Sequence, residues 1–186
     1  MKAGVRALGV AESYRESEST LAGSVVRASR VVDGFVFGRC TVGGSDATAA
    51  ITEMVARLDR ADVRYLLLSG IALAWFNVVD LRRLHDETGL PVVSVTYEES
   101  SGLESAIREA FDDPAVVEDR LGTYRAQPER RPVTVNGETV YVRSVGIGDG
   151  EAADVIRGFT PEGGRPEPLR VAQLAASAAD DFRRSA

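Results

Sequence analysis

The sequence predicts an α/β fold built on one mixed sheet, with three antiparallel strands followed by alternating helices and strands. Three observations carry this. Residues 5–10 (VRALGV), 21–29 (LAGSVVRAS) and 35–42 (FVFGRCTV) are short, apolar-rich stretches separated by turn-like polar segments. Residues 45–59 (SDATAAITEMVARLD) then place apolar side chains at helical spacing. Finally VRYLLL, 63–68, and PVVSVTY, 91–97, read as buried strands flanking a helical segment, which is the pattern of a right-handed crossover between parallel strands.

Each element has a local reason. The polar segment AESYRESEST after residue 10 turns the chain, and VVDG turns it back between the second and third strands. Ala49, Ile51, Met54, Val55 and Leu58 fall on one face of the first helix, with Ser45 or Asp46 as its N-cap. Asn77 is expected to cap a helix beginning near Val78, with Leu81 and Leu84 inward, Gly89 at its end and Pro91 opening the next strand. Residues 101–111 form a further helix, in which Glu104 and Arg108 have i,i+4 spacing, and Pro114 starts another. Asn136-Gly137 is a strong turn signal for a hairpin near 133–144. Gly148 or Asp149 caps the helix after it. Gly163 and Gly164 break the chain before a last helix, whose apolar positions are Leu169, Val171, Ala172, Leu174, Ala175 and Ala178. This is the element order of a ribonuclease-H-like sheet. A doubly wound nucleotide fold is disfavoured, because the early Gly-rich phosphate loop is missing.

The 186 residues suit a single domain, 1–186, with the hairpin and the C-terminal helix as additions to the core. Hydrophobic residues at 44% and charged residues at 27% are ordinary for a water-exposed globular chain. A formal charge of -6 argues against nonspecific nucleic-acid binding driven by net charge, while leaving room for a local basic groove. Lys2 is the only lysine. Salt adaptation in a halophile and mutational bias both account for the arginine preference. Cys40 is the only cysteine, so neither an intrachain disulfide nor a cysteine-clustered zinc site is available. With no secretory pattern and no apolar run of spanning length, a cytoplasmic protein without membrane association is expected.

The segments GVAESY, GSDAT, SGIALAWFNVVD, TGLPVVSVT and PEPLRVAQLAAS, in that order, resemble the archaeal family known as domain of unknown function ninety-nine. That family is in turn similar to endonuclease V, which cuts nucleic acid beside deaminated purines. The resemblance implies a ribonuclease-H-like core and an ancestral site where strand-end carboxylates hold Mg²⁺ or Mn²⁺ to orient water and screen phosphate. Carried over residue by residue, the two strand aspartates of the nuclease fall on Ala11 and Ser69. Neither side chain supplies a ligating charge. Glu12 adjoins Ala11, but strand neighbours point to opposite faces, so it reaches the crevice only if the strand ends or bulges there. The third carboxylate of the nuclease has no assigned position, and its late histidine has no counterpart, since His85 is the sole histidine.

The candidate catalytic acids are therefore Glu12, Asp46 and Asp80, each with a plainer alternative. Asp46 reads as a helix-cap or first-turn acid as well as a crevice group. Asp80 lies three residues after Asn77, so FNVVD is a capping arrangement or an active-site motif. The candidate ligand-binding residues are Tyr14, Trp75, Asn77 and Arg170. Trp75 is either a buried staple or, if exposed, a base-stacking platform. Arg165 and Arg170 flank PEPL, where either suits a phosphate and Arg170 equally suits a pair with Glu167. Arg130-Arg131, beside the hairpin, reads as nucleic-acid contact or solvated loop. Cys40 lacks a histidine to activate it and reads as core. The expectation is a nuclease-derived protein that has lost the two-metal site and binds a nucleic acid, a nucleotide or a protein. The alternative is a metal-dependent nuclease that uses Mg or Mn on a rearranged set of Glu12, Asp46 and Asp80.

Overall fold

The computed structural model describes residues 1–185. Strands β1 (Arg6–Arg15), β2 (Glu18–Arg27) and β3 (Val32–Thr41) form an antiparallel meander, and helix α1 (Ala47–Leu58) leads to β4 (Val63–Ser69), which runs parallel to β1. A small hairpin, β5 (Ala72–Leu73) and β6 (Asn77–Val78), precedes helix α2 (Leu81–Thr88) and β7 (Val92–Thr96), parallel to β4. Helices α3 (Glu104–Ala110) and α4 (Pro114–Arg125) lead to the hairpin β8 (Arg131–Val135) and β9 (Glu138–Val145), and β9 pairs antiparallel with β7. Helices α5 (Asp149–Phe159) and α6 (Glu167–Ser185) complete the described chain. The seven-stranded order is β3-β2-β1-β4-β7-β9-β8, the mixed sheet with alternating helices that the pattern predicts.

Strand alternation divides the core in two. Leu8, Val10, Leu66 and Leu68 pack with Ile51 and Met54 of α1 and Leu81 and Leu84 of α2. Ala7, Leu67, Val93 and Val95 face the other way, onto Val155, Ile156 and Phe159 of α5 and Leu169 of α6. Gly9 lets the start of α6 approach β1, for a Cβ there would sit 2.4 Å from the Pro168 carbonyl carbon. Ser24 Oγ donates to the Pro168 carbonyl oxygen at 2.7 Å. The PEPLR segment is thus a seat against the central strands. Among the described residues no helix is long and apolar enough to cross a membrane.

Several local expectations change. The VVDG turn lies earlier, because Val32 and Gly34 already pair with β2, with Asp33 bulged between them, and the bend spans 28–30. Asn77 caps no helix at Val78; those two residues form β6, and Asp80 caps α2 instead. Asp46 precedes α1 but makes no side-chain cap, since its carboxylate turns back to Thr41. Glu104 pairs with Arg125 and Arg108 with Glu118, because α3 and α4 lie side by side and offer nearer partners than the i,i+4 pair. On α6, Leu174 and Ala178 are exposed, as the helix buries the Leu169, Ala172 and Ala176 face. The Asn136-Gly137 turn is present, with φ of +50° and +84° at its two central residues.

Candidate functional site

Ala11 and Ser69 follow directly on the last paired position of the two parallel strands, Val10 opposite Leu68. By alternation both belong to the face covered by α5 and α6. They therefore share one edge and one face, the placement the resemblance implies for two metal-binding aspartates, with an alanine and a hydroxyl in their stead.

Glu12 does not compensate. β1 runs on to Arg15 without a bulge, with Glu12 opposite Leu21, so its side chain lies on the α1 face. Its carboxylate accepts from Ser19 Oγ at 2.6 Å and from the Ala74 N–H at 2.8 Å. Burial pushes its pKa above the ordinary value, against those two hydrogen bonds. Asp46 accepts from the Thr41 N–H and Oγ1 and from Asn77 Nδ2 at 2.7 Å. Burial opposes its ionisation, and the donors from Thr41 and Asn77 outweigh it and hold the pKa low. Asp80 accepts from the Arg82 and Arg83 N–H groups, the cap of α2. No hydrogen bond joins any two of these acids, and among the described residues no three His, Cys, Asp or Glu side chains are grouped to hold a metal ion. The donor set does not fit the metal centre that the fold relationship implies.

Asn77 is fully buried. Its Oδ1 accepts from the Ala47 N–H at 3.0 Å, and its Nδ2 donates to the Thr41 carbonyl at 2.9 Å as well as to Asp46. It therefore caps α1 across space. Arg170 is held in a two-pronged pair with Glu167, at 2.7 and 2.6 Å, which raises its pKa and occupies its guanidinium. Tyr14 is exposed on the end of β1 that runs past β4 and pairs only with β2, on the same strand face as Glu12. His85 Nδ1 contacts the Leu90 carbonyl, and Cys40 is buried, with burial pushing its thiol up to about 12.

Trp75 is not the buried staple. It is 49% exposed, at the tip of the β5–β6 hairpin. Ala74, Trp75 and Phe76 have φ of +43°, +61° and +57°, three successive left-handed residues, none of them glycine. Such a conformation costs about 1–2 kcal/mol per residue. Fixed partners hold it: the Glu12 carboxylate on the Ala74 N–H, the Gly43 N–H on the Ala74 carbonyl at 2.7 Å, and the Val79 N–H on the Ile71 carbonyl at 2.7 Å.

Beside this hairpin lies a cavity of about 510 Å³ at the carboxyl ends of β4 and β7, within the usual range for small-molecule pockets. Ser69 and Gly70 form part of its floor. Three arginine–tyrosine pairs line it: Arg130 stands 4.5 Å over Tyr141, Arg143 5.5 Å over Tyr124 and Arg165 4.7 Å over Tyr97. None of the three arginines makes an ion pair within 4.0 Å among the described residues, although most surface arginines do, and Glu98 is the only acid in the lining. Arg130 also clamps the wall by donating to the Glu98 and Ser100 carbonyls, at 3.2 and 2.7 Å. Burial lowers the pKa of Arg143, and burial raises the Tyr97 phenol to about 12, with the Arg165 charge opposing. The Tyr97 hydroxyl is buried without a hydrogen-bond partner. This chemistry is that of an anion site with aromatic walls. Only Arg130 and Arg165 carried a signal in the sequence; the tyrosines sit in unremarkable strand and helix positions.

The sequence profile of a family described as Endonuclease dU matches residues 3–180. The UPF0215 protein TK2033 of Thermococcus kodakarensis is 39% identical over 166 residues, covering 88% of this chain and 83% of its own length. A UPF0215 protein of Pyrobaculum calidifontis is 34% identical, covering 94% and 97% of the two chains. Among solved structures, a protein of unknown function from Archaeoglobus fulgidus superposes with a TM-score of 0.82 at 29% identity, covering 94% of this chain and 97% of that one. Endonuclease V of Ciona intestinalis, in complex with DNA containing an inosine, superposes with a TM-score of 0.64 at 13% identity, covering 95% and 86%. The fold is that of endonuclease V.

Proposed function

This chain belongs to the Endonuclease dU family, and from that premise we propose that it recognises a deaminated nucleotide, deoxyuridine, in single-stranded or locally unpaired DNA. The unstacked nucleotide occupies the cavity at the carboxyl edge of β4 and β7. The observation that carries this reading is the convergence there of three arginines without ion pairs and three tyrosines. Guanidinium groups match phosphate oxygens in two-pronged geometry, and aromatic faces accept a base taken out of its stack. The description of the family names dU, and a structural relative was solved on DNA containing another deaminated base, which supports this choice of ligand class. The reading assigns no cleavage step to Glu12, Asp46 or Asp80, because each is spent on holding a loop or a helix end.

The test is fluorescence anisotropy of a labelled single strand with a central dU against the same strand with dC. Preference for dU is expected. Three arginine–phosphate contacts imply that log affinity falls against log salt with a slope of about -2 for a single strand. Arg165→Gln, which disturbs no ion pair, brings the slope to about -1.4. Equal affinity for both strands and an unchanged slope in the variant would sink the reading. Cleavage dependent on Mn²⁺ and lost in a folded Asp80→Ala variant would instead restore the rearranged metal site.

A further inference from the structure

The strained tip of the hairpin, residues 74–76, lies outside the cavity lining, but the hairpin's first strand reaches it. Ala72 lines the cavity, and Trp75 lies three residues further on, within about 11 Å along the chain. Phe76 packs edge-on against Trp75 at 5.5 Å and against Phe111 at 6.4 Å, and Arg120 stands 4.3 Å over Phe111. Phe76 and Phe111 share a small apolar cluster with Leu103 and Tyr124, which also line the cavity. The indole is thus braced at its edge, three residues along the chain from the cavity wall, and still half exposed.

We propose that Trp75 is a stacking platform for the base next to the nucleotide in the cavity, and that Glu12 is the positioning residue that holds it there. The inference rests on the nucleotide reading of the cavity. Left-handed Ala, Trp and Phe in succession persist only where surrounding contacts impose them, and such strain concentrates at ligand clamps. Here a partly buried carboxylate is committed to the Ala74 N–H, at the first residue of the strained run. A ring fixed at its edge loses little freedom when a base covers its face. Base–aromatic stacking is also indifferent to sequence, as a neighbour position requires.

Trp75 is the only tryptophan, so fluorescence excited at wavelengths where tyrosine does not absorb reports the surroundings of this ring. The full-length chain is titrated with a dU-containing single strand, and with the same strand carrying abasic sites on either side of the dU. Quenching that follows the anisotropy binding curve is expected for the first strand and not for the second. Trp75→Ala should weaken the first strand by roughly 5- to 100-fold, with the salt slope unchanged, and Trp75→Phe should retain most of the affinity. Trp75→Gly should melt above Trp75→Ala while binding no better, because both lose the ring and only glycine adopts this φ freely. Strand binding without quenching, or Trp75→Ala with full affinity, overturns the platform and leaves the cavity reading standing. No saturable binding of either strand overturns both.

Discussion

Replacing Asn77 with alanine separates a structural clamp from a ligand contact. The side chain is fully buried and makes three hydrogen bonds, to the Ala47 N–H, the Thr41 carbonyl and the Asp46 carboxylate. Truncation strands a buried donor at the start of α1, which costs about 1–3 kcal/mol. Asp46 also loses a charge-assisted donor, but it keeps both Thr41 donors and stays partly solvated, so this loss is the smaller one. A destabilisation of about 2–4 kcal/mol follows. For a chain of this size that is a fall in melting temperature of about 4–16 °C. Urea unfolding at neutral pH and a thermal melt measure it. Asn77→Asp keeps the acceptor for Ala47 and places a second carboxylate against Asp46, so its deficit should shrink as the pH falls into the carboxylate range. If Asn77→Ala unfolds within about 0.5 kcal/mol of the parent chain, the clamp is refuted. If it keeps its stability and loses strand affinity, Asn77 is a ligand contact after all.

Asp80→Ala removes the α2 cap and should cost about 0.5–2 kcal/mol, with strand affinity unchanged in the folded protein; lost affinity at full stability would return Asp80 to the site. Glu12 titrates in the opposite sense to a paired surface acid. Its folded pKa is raised by burial, so its contribution to stability is full below the unfolded carboxylate pKa and is lost as the pH rises through the folded value. Glu12→Gln keeps an acceptor for Ala74 without the charge. Its stability advantage over the parent chain should therefore grow with rising pH in chemical unfolding, and a gap that does not vary with pH would contradict the assignment.

The sheet was legible because its signals are local and repeated. VRYLLL and PVVSVTY are apolar runs that only buried strands accommodate, and Asn136-Gly137 forces its turn. The helix ends were less so. An Asn or Asp before an apolar run signals a cap but not which helix it serves. Asn77 serves α1 from thirty residues downstream, and Asp46 beside α1 serves Thr41. Spacing also cannot reveal that three non-glycine residues adopt positive φ, so FNVVD was open to reading as a helix start when the chain is in fact a strained hairpin. The cavity was least legible. Its tyrosines come from the residue after β7, from α4 and from β9, and its arginines from the loop before β8, from β9 and from the loop before α6, and only the sheet order brings them together.

That assembly bears on the uncharged residues at positions 11 and 69. In a two-metal site the carboxylates bring cations to the strand ends, and the cations hold phosphate. With Ala11 and Ser69 the edge carries no such charge, and a phosphate arriving there meets arginine directly. A chain of net charge -6 then has a local patch of three arginines against one acid, recessed between low-dielectric walls that concentrate its field. An aspartate at position 69, which lines the cavity, would offset part of that patch unless metal accompanied it, and position 11 lies on the same face of the neighbouring strand. On the proposed reading, the uncharged residues at 11 and 69 and the arginines without ion pairs form one electrostatic arrangement. Restoring the acids as Ala11→Asp with Ser69→Asp should weaken single-strand binding without divalent metal, and added Mn²⁺ should recover it. Unchanged affinity in the metal-free double variant would mean that the arginines of the cavity do not hold phosphate.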